Sequence, residues 1–149
     1  MAETNQSYSA EVDATVDDCI AVLLDFERYP DWSTPILEAK IEETDAEGRP
    51  RRVAFALDMR IRTIRYTLEY SYALPRRLTW ELVAGDLSGV QGAYDLEPLP
   101  DGRSRATCTQ EVDLGFWLPG PLRRMFERQA LRDSVLELKA EIERRAGRG

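Results

Sequence analysis

The stretch YSAEVDATVDDCIAVLLDFERYPDW, residues 8–32, sets the frame for the whole chain. It opens on a short strand, Tyr8 to Val12, that runs into Asp13-Ala14-Thr15. Thr15 suits an N-cap, and Asp17 and Asp18 fall in the first turn, where the helix dipole favours acids. Val16, Cys19, Ile20, Leu23 and Leu24 recur at helical spacing and predict a short helix over 16–24 with one buried face. A second short helical piece is expected within 25–32, where Pro30 redirects the chain. Beyond it lie several strand-like segments and one long amphipathic helix. Strand, two short helices, many strands and a long helix is the order of a curved antiparallel sheet wrapped around a single helix, with room for a pocket between them.

Working outward, Ile36 to Asp45 alternates weakly as a strand and ends in the turn Ala46-Glu47-Gly48-Arg49-Pro50. The next two segments carry the clearest pattern. Val53, Phe55, Leu57, Met59 and Ile61 fall at every second position, as do Ile64, Tyr66, Leu68, Tyr70, Tyr72 and Leu74. Such a period specifies antiparallel strands with one dry and one wet face. Leu78, Trp80 and Leu82 continue it after Pro75-Arg76-Arg77. Gly89 and Gly92 interrupt a less regular strand ending in Tyr94 and Leu96, as a bend in a curved sheet requires. The last strand, Ser104 to Leu114, puts Ala106, Cys108, Gln110, Val112 and Leu114 on one face. After the apolar loop Phe116-Trp117-Leu118-Pro119-Gly120, Pro121 fits the first turn of a helix. That helix is expected to reach about Arg145, with Leu122, Met125, Phe126, Leu131, Val135, Leu138 and Ile142 inside and a frayed tail over 146–149. Nothing divides the chain, so 1–149 reads as one domain.

The balance of 27 acidic against 20 basic side chains gives a formal charge of −7. Nucleic acid and anionic membrane surfaces, which clustered cations hold, are therefore poor partners. Histidine is absent, which removes the commonest general base and metal ligand. Cys19 and Cys108 have no metal-ligand spacing and read as reduced, buried thiols in a cytoplasmic protein. The sequence holds no targeting stretch and no apolar run long enough for membrane insertion. Motifs for a metal, a phosphate loop or another cofactor are also lacking, so none is expected.

The ordered segments Val12-Asp13-Ala14, Asp25 to Trp32, Leu78 to Gly85 and Gly92 to Leu99, with the long terminal helix, carry a family likeness. The chain resembles the START-like superfamily, specifically its small bacterial polyketide cyclase/dehydrase and lipid-transport members. The resemblance implies an α+β helix-grip fold. In it, a seven-stranded curved antiparallel sheet wraps a long C-terminal helix, two short helices follow strand 1, and an elongated apolar cavity lies between sheet and helix. Members that look like this bind lipids, quinones, sterols or polyketides, and some cyclise a polyketide chain.

The candidate site follows from the inward parity of the strands. Trp32, Phe55, Tyr66, Tyr70, Trp80 and Tyr94 form an aromatic lining, suited to a planar or polyene guest because rings stack and phenols orient by hydrogen bonds. The same side chains can equally be plain core. Leu57, Met59, Leu68, Cys108 and Phe126 complete the lining. Gln110 is a strongly polar residue on an apolar face, and it either faces inward with a partner or is turned out by a bulge. Gln129 and Ser134 lie near the inner side of the helix. Phe116 and Trp117 mark the cavity mouth, as a lid, a contact or a hydrophobic seal. Asp25, Glu27 and Asp31 read as helix caps, and Arg124, Arg128 and Arg132 as a solvated stripe. Binding of a small hydrophobic ligand, as carrier, sensor or chaperone-like protein, is the expected function. The alternatives are a polyketide aromatase/cyclase using Tyr66 or Tyr70 to polarise a carbonyl, and a protein-interaction module. Arg60, Arg62 and Arg65 fall on the outer parity, which offers a cyclase no inward cation.

Overall fold

The computed structural model describes residues 5–147, of which Asn5, Met125 and Glu127 are described by backbone alone. Thr15 starts the first helix through a reciprocal capping box: its hydroxyl accepts from the Asp18 N–H, and the Asp18 carboxylate accepts from the Thr15 N–H, both at 3.2 Å. That helix, α1, spans Val16–Leu23 and buries Cys19, Val22 and Leu23. A 3-10 turn (Phe26–Arg28) and one turn of helix, α2 (Tyr29–Trp32), carry the chain onward. The strands are β1 (Asn5–Val12), β2 (Ile36–Thr44), β3 (Pro50–Asp58), β4 (Thr63–Ala73), β5 (Arg77–Gly85), β6 (Gly89–Leu99) and β7 (Arg103–Asp113). They form one seven-stranded antiparallel sheet in the order β1-β7-β6-β5-β4-β3-β2. Strands β2 to β7 follow one another as hairpins, and the α1–α2 segment joins β1 at one edge to β2 at the other.

The sheet bends because its register slips. The β2–β3 ladder shifts at three places between Ile36 and Thr44, and the β4–β5 ladder shifts between Thr67 and Leu68. An extra residue on one side of a pair kinks that strand and tightens its twist. At Gly85, with φ +121°, an added Cβ would stand 2.4 Å from the Arg65 carbonyl oxygen, so only glycine lets β5 close on β4 there. The order of segments predicts a curved antiparallel sheet around one helix, and the observed fold is the helix-grip arrangement that the resemblance implies.

The terminal helix runs from Gly120 to Arg145 in three parts: α3 (Gly120–Arg124), a π-helical turn (Met125–Gln129) and α4 (Ala130–Arg145). The inward residues of α4, Leu131, Val135, Leu138 and Ile142, are all buried. This helix packs on β1, β7, α1 and α2. The inward placement expected for the Met125 side chain, the expectation of fraying at 148–149, and residues 1–4 lie outside what is described.

Two expectations need correction. Ile61 does not continue the β3 alternation. The strand ends at Asp58, whose carboxylate accepts from the Arg60 N–H at 2.8 Å, and Arg60 takes φ +70°. The chain turns there, Met59 stays buried and Ile61 is left 59% exposed. Asp25 stands at the N-cap position of the 3-10 turn, but none of the acids of 25–31 makes a side-chain cap hydrogen bond. Asp25 pairs with Arg145 at 2.9 Å, Asp31 pairs with Arg28, and Glu27 accepts from the Ile41 N–H.

Burial divides the interior in two. The larger cluster centres on Phe26, which is fully buried with its ring 4.6 Å from Tyr70, 5.1 Å from Tyr29 and 6.4 Å from Phe55. A smaller one joins Met59, Ile64, Leu114 and Leu118. Half-buried Tyr66, Leu87 and Val112 touch both.

Two predictions follow from this packing. Phe26→Ala should cost about 3–5 kcal/mol in a urea titration, because a ring in closed surroundings leaves a cavity that the sheet cannot collapse into. The second concerns the end of α4, where buried Glu141 accepts from Arg144 at 2.6 and 2.9 Å and from Arg145 at 2.7 Å. Those hydrogen bonds, Arg144's first, hold its carboxyl at about 2 against the opposing effect of burial. A depressed folded pKa adds stability that is whole above the ordinary carboxylate range and lost as pH falls toward 2. Glu141→Gln should therefore remove about 1 kcal/mol at pH 7, since water screens the exposed Arg144, and flatten the acid limb of a melting-temperature profile between pH 4.5 and 2.

Candidate functional site

Register places the inward side chains in rows across the sheet. Phe55 opposes Tyr66, with rings stacked at 5.6 Å. Tyr70 opposes Trp80, Trp80 opposes Gly92, and Gly92 opposes Gln110, which in turn faces Gln6. One row further, Tyr72, Leu78, Tyr94, Cys108 and Tyr8 align. Trp80 stands 5.9 Å from Tyr70 and 5.8 Å from Tyr94 between ring centroids. On the β2 side, Trp32 lies 4.9 Å from Tyr29, which itself lies 6.3 Å from Phe55. Trp32, Phe55, Tyr66, Leu68, Tyr70, Trp80, Tyr94 and Cys108 all lie in or against the larger interior cluster. Leu57, Met59, Phe116 and Phe126 gather in or around the smaller one.

Gly92 shapes the centre of this surface. A Cβ there would meet the Trp80 indole at 2.3 Å, so the bare glycine is what lets the indole cross β6. The indole then reaches β7, where its Nε1–H donates to Gln110 Oε1 at 3.2 Å. Gln110 thus faces inward on an unbroken β6–β7 ladder, and no bulge turns it out. Ser134 is half-buried and interacts with the Tyr94 hydroxyl. Gln129, expected near the inner side, is exposed, because the π-helical turn before α4 alters the rotation of the helix at that point.

The inner face is fully buried at one end and half-exposed at the other. Leu78, Leu96, Ala106 and Cys108 are sealed. Leu57, Tyr66, Leu82, Gln110 and Val112 point the same way yet stay half-exposed. Phe116 and Leu122 border that end, Leu118 is buried beneath them, and Trp117 is 83% exposed. The Arg62 guanidinium lies 4.9 Å from the Phe116 ring centroid and ties the β3–β4 turn to the loop before α3. Two surface grooves of about 410 and 370 Å³ lie elsewhere. One crosses the wet face of the sheet among Glu69, Thr79, Glu81 and Glu111, the other lies among Asp25, Arg28, Asp31 and the Glu141 cluster. Their charged linings suit water rather than an apolar guest.

Titration limits the chemistry. Burial pushes the phenols of Tyr66, Tyr70 and Tyr94 above their ordinary value. Burial likewise raises the Cys108 thiol to about 12 and the Cys19 thiol to about 11. At neutral pH these groups are neutral donors, neither bases nor thiolate nucleophiles. Tyr29 donates to the Leu23 carbonyl at 2.6 Å. Among the described residues no hydrogen bond engages the Tyr66 or Tyr70 hydroxyl, and the buried Trp32 Nε1 has no acceptor. No group of three or more His, Cys, Asp or Glu suited to a metal ion occurs among the described residues.

Phe26, Tyr29 and Gly92 are the contributors that sequence reasoning missed. The first two sit in a helical piece too short to show a period, and only their aromatic character inside 25–32 signals them. Gly92→Ala should lower stability by about 1–3 kcal/mol through overpacking against the indole. In an NMR amide spectrum, the Trp80 indole N–H should lose its hydrogen-bonded shift, while the Trp117 signal stays put.

The chain matches the family described as polyketide cyclase/dehydrase and lipid transport over residues 3–143. Comparison with curated protein sequences gives no match. Among solved structures it is similar to a START superfamily protein from Mycobacterium smegmatis, at 20% identity and TM-score 0.85, covering 94% of this chain and 97% of that one. It is similar to the Zhui aromatase/cyclase from Streptomyces sp. R1128 at 18% identity and TM-score 0.82, with 97% and 96% covered. It also matches the di-domain aromatase/cyclase StfQ of the steffimycin pathway at 15% identity and TM-score 0.73, spanning 98% of this chain and 53% of that chain. At such identities the likeness is one of fold. The family match over nearly its whole length, joined to the sheet and helix described above, makes this chain a member of the polyketide cyclase/dehydrase and lipid-transport family.

Proposed function

We propose that the protein binds a small hydrophobic molecule, a lipid, quinone or aromatic polyketide, between the inner face of the sheet and the terminal helix. The role would be that of a carrier, sensor or chaperone-like protein. The observation that carries this reading is the divided interior. Two buried clusters meet through Tyr66, Leu87 and Val112, which face inward yet remain half-exposed. An apolar guest seated there gains roughly 25 cal/mol for each Å² of apolar surface withdrawn from water. Phe55, Tyr66, Tyr70, Trp80 and Tyr94 would stack against it, with Trp32 at the β2 edge. Leu57, Met59, Leu68, Cys108 and Phe126 would fill the wall, and Phe116 and Trp117 would stand at the mouth. The phenols of Tyr66, Tyr70 and Tyr94, the Cys108 thiol and the Gln110 amide are neutral at pH 7, which favours binding over proton transfer. Among the described residues, no helix is long and apolar enough to cross a membrane.

The unengaged hydroxyls of Tyr66 and Tyr70 favour the cyclase as a second reading. Either could donate to a carbonyl oxygen and make the neighbouring methylene more acidic, while the walls held a folded chain in reach of itself. No described inward group is suited to take up that proton, which places this reading second.

Native mass spectrometry of the purified protein should show a co-purified small molecule. Saturating naphthoquinone, a neutral lipid such as a monoacylglycerol, or an aromatic polyketide should raise the melting temperature by roughly 5–10 °C at a hundredfold excess over Kd. Empty spectra together with unchanged melting and tryptophan emission across all three probes would overturn the reading. The double variant Tyr66→Phe, Tyr70→Phe should retain an apolar guest and would abolish cyclisation if the second reading held.

A further inference from the structure

Gln110 is held in one orientation. An indole N–H donates and cannot accept. The Trp80 contact at 3.2 Å therefore requires Oε1 to face the indole, and Nε2 with its two N–H groups faces the other way. Trp80 is itself kept in place between Tyr70 and Tyr94, over a strand that only glycine leaves bare. Of the two residues opposite Gln110, Gly92 has no side chain to offer an acceptor, and half-buried Gln6 makes no hydrogen bond with it. Among the described residues nothing accepts from Nε2, and Gln110 lies in the half-exposed part of the inner face.

We infer that the Gln110 carboxamide is a preset hydrogen-bond donor, and that it selects a guest bearing a neutral carbonyl oxygen over a hydrocarbon of the same shape. This rests on the binding reading above. The neighbouring hydroxyl of Tyr70 is a second donor on the same surface. The arginines of the β3–β4 region do not accompany them. Arg65 is exposed beside Glu38, and Arg60 and Arg62 are exposed at the β3–β4 turn. A carboxylate drawn into this space would lose hydration with no counter-charge to replace it, whereas a quinone or ketone oxygen needs only a donor.

The test uses the full chain and two probes with the same ring skeleton, 2-methyl-1,4-naphthoquinone and 2-methylnaphthalene. Equilibrium dialysis at pH 8 gives the ratio of their affinities. Gln110→Glu keeps an oxygen for Trp80 and replaces the N–H pair by an acceptor. Gln110→Met removes both functions at similar volume and stands in if the first variant folds poorly. Each should lower the quinone-to-hydrocarbon ratio about tenfold relative to the natural chain, the worth of one donated hydrogen bond. A ratio within twofold of the natural chain's overturns the inference while leaving hydrophobic binding intact. Failure of the natural chain to bind either probe overturns the binding reading and this inference together.

Discussion

One helix cannot cover the concave face of a seven-stranded sheet, and most of the structure answers to that constraint. The packing of α4 is on β1 and β7, through Leu131, Val135, Leu138 and Ile142. The β3–β4 half must be filled from elsewhere, and the segment between β1 and β2 does it. Phe26 enters as a fully buried ring between Phe55 and Tyr70, and Tyr29 and Trp32 extend the fill toward β2. The crossing from one sheet edge to the other is therefore a second layer of core. Its position is held by the capping box at Thr15, by the Tyr29 hydroxyl on the Leu23 carbonyl, and by the Asp25–Arg145 pair to the end of α4.

The two fillers reach the same end of the sheet, and the other end stays thinly covered. There the inward residues keep partial exposure, and the helix above them is the π-helical turn rather than α4. Charge is partitioned with equal clarity. Among the described residues, Arg77–Asp95, Arg103–Glu11 and Arg105–Glu97 pair across strands on the wet face. On the inner face of the sheet are phenols, a thiol, the Trp80 indole and the Gln110 amide. Such a surface can hold and orient a neutral molecule, and its electrostatics offer little to an ion.

Much of this was legible in the sequence because period two is a strong signal. The alternation through β3 and β4 identified Phe55, Tyr66, Leu68 and Tyr70 as inward, and the structure puts them there. The same rule failed at Ile61, where a local side-chain bond from Asp58 to the Arg60 N–H outcompeted the strand. Gln110 was left open between two orientations. Deciding it required the Trp80 indole, thirty residues away in the chain and brought into reach by pairing across Gly92. Helical periodicity identified the inner side of α4 but not the exposure of Gln129, because a π-helical turn changes the angle per residue. Phe26 and Tyr29 were invisible as fillers for a different reason. A 3-10 turn followed by a single helical turn has no period to read.

Stability and access are spatially separated in this arrangement. The sealed end is tied by the largest core side chains and by the Glu141–Arg144–Arg145–Asp25 cluster, whose hydrogen bonds depress the Glu141 carboxyl to about 2. The half-exposed end is bounded by a loop, a hairpin turn and the Arg62–Phe116 contact, which is exposed on the arginine side and worth about 1 kcal/mol at most. The contacts beside Tyr66 and Val112 are the weaker ones, while Phe26 and the end of α4 hold the sheet's curvature. The burial and hydrogen bonding that hold the fold are concentrated at the sealed end, away from the half-exposed inward residues where a guest is proposed to sit.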